Sequence, residues 1–534
     1  MKSQPNNTAE LSTETATGAT PDASSSVNVW YLSDCAQCVI YALALTASIS
    51  IWFLAIRAPL WLDETGSFQQ ISAGFSQIPS RVRGLSFPAH AYILWFCTKI
   101  TGTSEIALRV PEIFAMFGAT YLLYQAAREL FDRDVAIIAS IVFCIHPIVV
   151  FASIDVRPYA FGALAVNAAI LCLVRLRRNN SISLAALFGF SAASILYFHF
   201  LFATILPALA IGYFVIKPGE SKILWRQFGV ALTVFAIACL PIIPWVRVTL
   251  ENTGSHVFDN APGLAELGWT LAPPPWPLIL LGAIFAAALT RRLDMLHQFD
   301  GRRALLCALL GLVPILTLYG ASVGTPLHVF VERYRLVAIP GIGLCWALVV
   351  NLVNSRSIRL LFCVVLVTTV AYQNFTSPYS NVHGYTWKYA LEFAEKNASV
   401  DGAPVVICSD FVESNYMQMP TGSAVKDSAQ FAPLSYYKLS VPVVGLPRAL
   451  NDEAIRVGSS FLQDAAARRQ RFLVLGFSPS YETLRWLSYN ASGMYEVRQL
   501  GMTYSIVILE FKPRFKGDGV HYAGDEDRKS PPVR

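Results

Sequence analysis

An adjacent acidic pair, Asp63-Glu64, follows directly on the first long apolar run, in the segment LWLDETGSF. Two carboxylates at a membrane boundary have two readings. One is a solvated loop. The other is a site where a carboxylate removes the proton of an attacking hydroxyl, or where Asp63 helps ligate a divalent cation such as Mg or Mn. The segment SIDVRPYA sets Asp155 beside Arg157, with Pro158 suited to the start of a helix at Tyr159. Asp155 and Arg157 either pair structurally or join the acidic site, with Asp155 the second possible metal ligand. ERYRLVAIP carries Arg333, Tyr334 and Arg335 at the mouth of a later apolar run. Their planar guanidinium groups suit phosphate, and they equally suit snorkelling to lipid headgroups. His199 in YFHF stands in a very short turn and is structural or catalytic.

These residues are far apart in sequence, so the elements that position them must bring them together. The chain has 534 residues, of which 54% are hydrophobic and only 14% charged; its mean hydropathy is +0.47. A soluble domain carries about a quarter charged residues, so most of this length goes into membrane spans. At roughly 20 apolar residues per span, about eleven are predicted: 35–56, 110–127, 135–152, 159–174, 183–198, 200–216, 228–246, 276–289, 304–322, 336–353 and 360–375. Ionisable residues are nearly absent from their centres. That argues against a lipid-linked sugar transporter or flippase, which usually carries polar groups at mid-membrane depth.

The basic residues give the orientation. Arg128 and Arg133; Arg175, Arg177 and Arg178; Lys217, Lys222 and Arg226; Arg291, Arg292, Arg302 and Arg303; and Arg356 and Arg359 occupy alternate loops. With a cytoplasmic N-terminus they share the inner side. Asp63, Glu64, His90, Glu105, Arg109, Asp155, Arg157, His199, Glu332, Arg333 and Arg335 then share the outer one. The net charge of +6 is accordingly a topology signal and not a nucleic-acid footprint. Phe87–Ile100 is short and follows Pro88, and reads as a helix lying along the membrane.

The predicted organisation has a disordered cytoplasmic tail at 1–34, without a cleavable signal peptide, and a transmembrane domain at 35–375 with a long first outer loop at 57–108. An extracytoplasmic domain follows at 376–512, and then a disordered tail at 513–534. The C-terminal region alternates strand-like runs (404–408, 441–445, 472–476, 504–511) with helical patterns (387–396, 459–469, 481–489), which predicts a small α/β domain. The ten cysteines are scattered, which rules against a disulfide framework and leaves room for one Cys97–Cys408 bridge. Cys35-Ala-Gln-Cys38 lacks a second pair or a nearby histidine and reads as apolar filler.

Taken in order, LWLDETGSF, FPAHAYILW, EIALRVPEIFAMFGATYLLYQAARELF, IDVRPYAF, YFHF and ERYRLVAIPGIGL resemble the GT-C superfamily of membrane glycosyltransferases. The likeness is to the bacterial branch related to protein O-mannosyltransferases and lipid A aminoarabinose transferases, the family 39 type. It runs from about Leu60 to Leu344. The resemblance implies transfer of a sugar from a polyprenyl-phosphate donor to a lipid, glycan or protein acceptor, at the outer face of the cytoplasmic membrane and with inversion. It makes Asp63 the presumed base, with Glu64 beside it, and Asp155 the second-loop acidic position. His90, Arg157, Tyr159, His199, Arg333, Tyr334 and Arg335 become the donor-binding set. Two departures stand out. Val156 replaces the alanine common before Arg-Pro-Tyr. FPAHAYILW keeps only Pro88 of the usual proline pair, with His90 moved inside. The missing second proline favours a further alternative, a non-catalytic membrane scaffold.

Overall fold

A computed structural model of the chain describes residues 34–82, 87–216, 224–251, 261–289, 300–353, 355–376, 387–477, 480–503 and 505–514. The expected tails therefore lie outside the described residues, apart from Asp34, Pro513 and Arg514.

Seven described helices are long and apolar enough to cross a membrane: Cys35–Ala55, Glu105–Leu130, Tyr159–Asn179, Trp225–Thr249, Gly301–Gly324, Glu332–Asn351 and Arg356–Thr376. Leu264–Leu271 and Trp276–Ala286 form an eighth unit, bent by 51°. The protein is thus a multi-pass membrane protein. The remaining predicted spans are helical but shorter. Ile182–Phe198 and Phe200–Val215 are separated only by His199, and the 133–152 segment breaks where Pro147 follows His146. A proline offers no N–H to the preceding turn, which accounts for that break. Side-chain caps start several helices; among them Ser104 Oγ accepts from Ala107 N, and Asp132 Oδ1 from Val135 N.

Small residues let the helices pack closely. A Cβ added to Gly341 would lie 2.2 Å from Gly311 N, and one on Gly189 would lie 2.1 Å from Ala231 O. Buried Asn167 donates across a helix pair to Ala119 O at 3.0 Å. The segment after the first span is largely helical, with helices at Leu62–Ser72 and Ala89–Thr101. The second has 13 residues, about 20 Å of rise, and is too short to span.

The C-terminal region is the predicted α/β unit. Strands β1 (Val405–Cys408), β2 (Val443–Leu446), β3 (Phe472–Phe477), β4 (Tyr495–Thr503) and β5 (Ile506–Pro513) form one sheet in the order β2-β1-β3-β5-β4. The pairs β1–β2 and β1–β3 are parallel, and β3–β5 and β4–β5 antiparallel. Side chains alternate across it. Val405 and Ile407 pack with Trp387 and Leu391 on one face, and Val406 and Cys408 with Leu462 and Leu487 on the other. Strand β4 is the element that sequence periodicity did not predict. All ten cysteines are free, Cys97 and Cys408 included, so no bridge joins those two.

This unit sits on the first loop of the membrane part. Leu62 packs against its core. Tyr437 Oη accepts from Leu60 N at 2.8 Å and donates to Glu105 at 3.0 Å, while Lys388 pairs with Glu105 at 3.1 Å. Gln69 donates to Asp427 O at 2.9 Å.

Candidate active site

Glu64 builds the frame. Its side chain is fully buried and takes a two-pronged ion pair from Arg109, at 3.1 and 2.7 Å. Its oxygens also accept from Trp61 N and Val156 N, each at 3.1 Å. Arg109 in turn donates to the carbonyls of Ile56 and Ala58. One carboxylate therefore ties the end of the first span, the start of the Leu62–Ser72 helix and the loop carrying Asp155 and Arg157. The Val156 departure is harmless to this frame, because only its backbone N–H is used.

Asp63, one residue earlier, faces the other way. It is partly exposed and stands 3.6 Å from Arg333. Arg157 shares the same space. Burial works against its charge, but Asp63 and then Tyr159 more than offset this and hold the guanidinium firmly protonated. Arg333 also lies over the rings of Trp61, at 5.9 Å, and Tyr334, at 5.4 Å. His199 contacts Tyr334 at 4.7 Å and Tyr159 at 5.4 Å between ring centroids. Burial, and then Arg157 and Arg333, push the His199 imidazole down to about 3, so it is neutral. The Nε atoms of Arg157 and Arg333 and His199 Nδ1 are buried without hydrogen-bond partners.

Asp155 is fully buried. Its Oδ1 accepts from Trp61 Nε1 at 3.0 Å, and its Oδ2 has no partner. Burial and then the charge of Glu64 raise this carboxyl well above the usual carboxylate range. The local charge count follows. Arg109 neutralises Glu64 and Asp155 favours its proton, leaving Arg157 and Arg333 against Asp63. One surplus positive charge remains, with unsatisfied donors, and a phosphate would supply both the negative charge and the acceptors.

The other predicted residues stand further back. His90 Nε2 bonds Glu112 at 2.7 Å, and burial followed by Arg157 lowers its pKa to about 3. Arg335 turns to the bent helix pair, donating to Thr270 Oγ1 at 2.6 Å. The structure thus brings together Asp63, Asp155, Arg157, Tyr159, His199, Arg333 and Tyr334, with Glu64 as their scaffold, and leaves His90 and Arg335 behind. Trp61 joins the site and Asp410 approaches it from the sheet unit with Arg448 as its counter-charge, neither having been singled out. Trp61 adjoins the acidic pair, which was a usable signal; Asp410 carried none. The donor set does not suit a divalent cation. Asp63 faces two guanidinium groups, Asp155 favours its proton, and among the described residues no three His, Cys, Asp or Glu side chains cluster to hold a metal ion.

Residues 86–245 match the family described as dolichyl-phosphate-mannose-protein mannosyltransferase. No curated protein matches the chain in sequence. Among solved structures, ArnT from Cupriavidus metallidurans bound to undecaprenyl phosphate is similar over 88% of this chain and 97% of that one, with TM-score 0.52 and 10% identity. The same protein in the apo state gives 0.53 over the same shares. The chain shares the fold of these structures, and a segment of less than a third of its length matches the mannosyltransferase family. Within that fold, Asp63 and its two guanidinium neighbours sit where the membrane helices meet the C-terminal unit.

Proposed function

We propose that the protein moves a sugar from a polyprenyl-phosphate donor to a hydroxyl of a cell-envelope acceptor, on the outer face of the cytoplasmic membrane. One observation carries the reading: a partly exposed carboxylate, Asp63, set between Arg333 and Arg157, whose combined charge exceeds its own. Asp63 accepts the acceptor hydroxyl's proton as that oxygen bonds to the anomeric carbon. The bond from that carbon to the phosphate oxygen breaks, and polyprenyl phosphate leaves with the electron pair. Arg157 and Arg333 hold the charge that develops on it. Single displacement inverts the anomeric carbon. Tyr159, Tyr334 and neutral His199 line the donor side. Asp155 and Glu64 shape the loop, and Arg335 and His90 support it from behind.

The lipid tail needs an apolar channel. A groove of about 500 Å³ is lined by Leu196, Cys239, Ile242, Ile243 and Val246, with the Arg247–Glu251 ion pair also on its wall, and Leu196 stands three residues before His199. This groove is our choice for the first isoprene units. The N-terminus lies in the cytoplasm and the C-terminal unit outside, as the basic loops require.

The phosphate site is tested by binding. Losing a charge-assisted contact costs about 1.5–3 kcal/mol, so Arg333→Ala should weaken undecaprenyl phosphate binding roughly tenfold to a hundredfold. Arg335→Ala should change it much less. Equal affinity in native protein and Arg333→Ala would remove the phosphate site from this position.

A further inference from the structure

The C-terminal sheet has a crevice of its own. The chain runs from β1 to β2 on one side and then crosses to β3 on the other side of β1. Open α/β sheets bind ligands outside the carboxyl ends of the strands at such a switch point. A small cavity lies there, formed by Ser409 and Asp410 just after β1, with Trp387, Gln430 and Leu434 around it. Ile407, Cys408, Phe431 and Pro433 close it from the sheet unit, and Leu62, the residue before Asp63, closes it from the membrane part.

The cavity has a volume of about 10 Å³, room for one water-sized group. Most of its lining is apolar, and three polar side chains, Ser409, Asp410 and Gln430, interrupt it. Trp387 is 98% buried, from a relative exposure of 2%, and its indole N–H is directed at Asp410. Gln430 Oε1 is buried and unpartnered. Ser409 is already engaged with Gln430 O at 2.7 Å and braces the wall. An N–H donor, an amide oxygen and a carboxylate around one water-sized space match a hydroxyl, which both donates and accepts.

We infer that this crevice is the acceptor subsite, and that it seats one hydroxyl of a sugar-like acceptor between Trp387, Asp410 and Gln430, beside the helix turn bearing Asp63. The inference rests on the transfer reading above. A peptide acceptor is disfavoured because β1, the strand that ends at the crevice, is flanked by β2 and β3 and has no free edge for a peptide backbone to pair with. The charge state agrees. Burial raises the Asp410 carboxyl to about 6, Arg448 opposes the rise, and the charge of Asp63 adds to it. The group is ionised at neutral pH and able to accept from a hydroxyl.

The test reads the crevice without relying on transfer. Full-length protein carrying 5-fluorotryptophan is placed in lipid nanodiscs, and the Trp387 fluorine signal is identified by its loss in Trp387→Phe. Methyl α-D-mannopyranoside should move that signal saturably. Asp410→Asn and Gln430→Leu should each raise the midpoint about tenfold, the loss of roughly one hydrogen bond, while Asp63→Asn should leave it unchanged. A signal that never moves, or that moves equally in Asp410→Asn, overturns the proposal. So does a serine peptide that moves it when the glycoside does not. If undecaprenyl phosphate fails to bind the same sample while the glycoside response stands, the donor reading fails and the crevice does not.

Discussion

Asp63 and Glu64 are adjacent, yet their surroundings give them opposite work. Glu64→Gln leaves Arg109 buried without its counter-charge, and breaking such a pair costs about 3–5 kcal/mol. That variant should be poorly produced and melt well below the parent, whereas Asp63→Asn should melt close to it. Equal melting temperatures would show that the Glu64–Arg109 pair is not the frame. The sequence could not separate the two residues, because Arg109 is an ordinary basic residue until the fold sets it on Glu64. The cluster as a whole was legible for a simple reason: ionisable groups avoid mid-bilayer depth, so their placement at the ends of apolar runs marked one face. Asp410 was invisible, since only the sheet brings it to Leu62. Its raised pKa has a consequence for stability. The folded state holds this proton more tightly than the unfolded chain, whose value is near 3.8, so the contribution is whole below that and is lost as pH rises through about 6. Asp410→Asn lacks this loss, so its melting temperature should rise relative to the parent's between roughly pH 4 and pH 7. Parallel melting profiles would contradict the burial of Asp410.

Among the elements, the long apolar helices and the three parallel strands follow the sequence closely, because length and continuous apolar runs are what buried elements require. Strand β4 does not. It is an edge strand, with Glu496, Arg498 and Gln499 on a largely open surface. Charged edges discourage pairing with other chains and erase the alternation that marks a strand. The break between His146 and Pro147 and the short Ile182–Phe198 helix also blurred the span count, since hydropathy registers a kinked helix and a straight one alike. Helix approach is more demanding. Gly341 touches the backbone of Gly311, and Gly341→Ala would drive a methyl group to 2.2 Å from a nitrogen, so the two helices must part. That variant should lose thermal stability and yield, while Gly320→Ala on the open side of the partner helix Gly301–Gly324, with nothing within 4 Å, should behave as the parent. Comparable stability in both would mean that the helices do not cross at this point.

At the scale of the whole molecule, two units meet over one site. The membrane part supplies Asp63, Arg157, His199 and Arg333 from its outer loops and helix ends, and the sheet unit is fastened to it through Tyr437, Glu105, Lys388 and Leu62. The account therefore requires the sheet unit and Asp63 to share the outer face. A reporter active only outside the cytoplasm, fused after Phe375, should be active; activity of a cytoplasm-only reporter there would reverse the orientation. The central claim is glycosyl transfer from a lipid phosphate, and its most direct measurement is release of free polyprenyl phosphate. Purified protein in lipid bilayers is given a series of polyprenyl-phosphate sugars together with envelope lipid and glycan acceptors. At least one donor should release its carrier with transfer of the sugar, and Asp63→Asn, which keeps the shape but cannot accept the proton, should slow that release roughly 100-fold or more. No release from any donor by the native protein, or undiminished release by Asp63→Asn, would contradict the account.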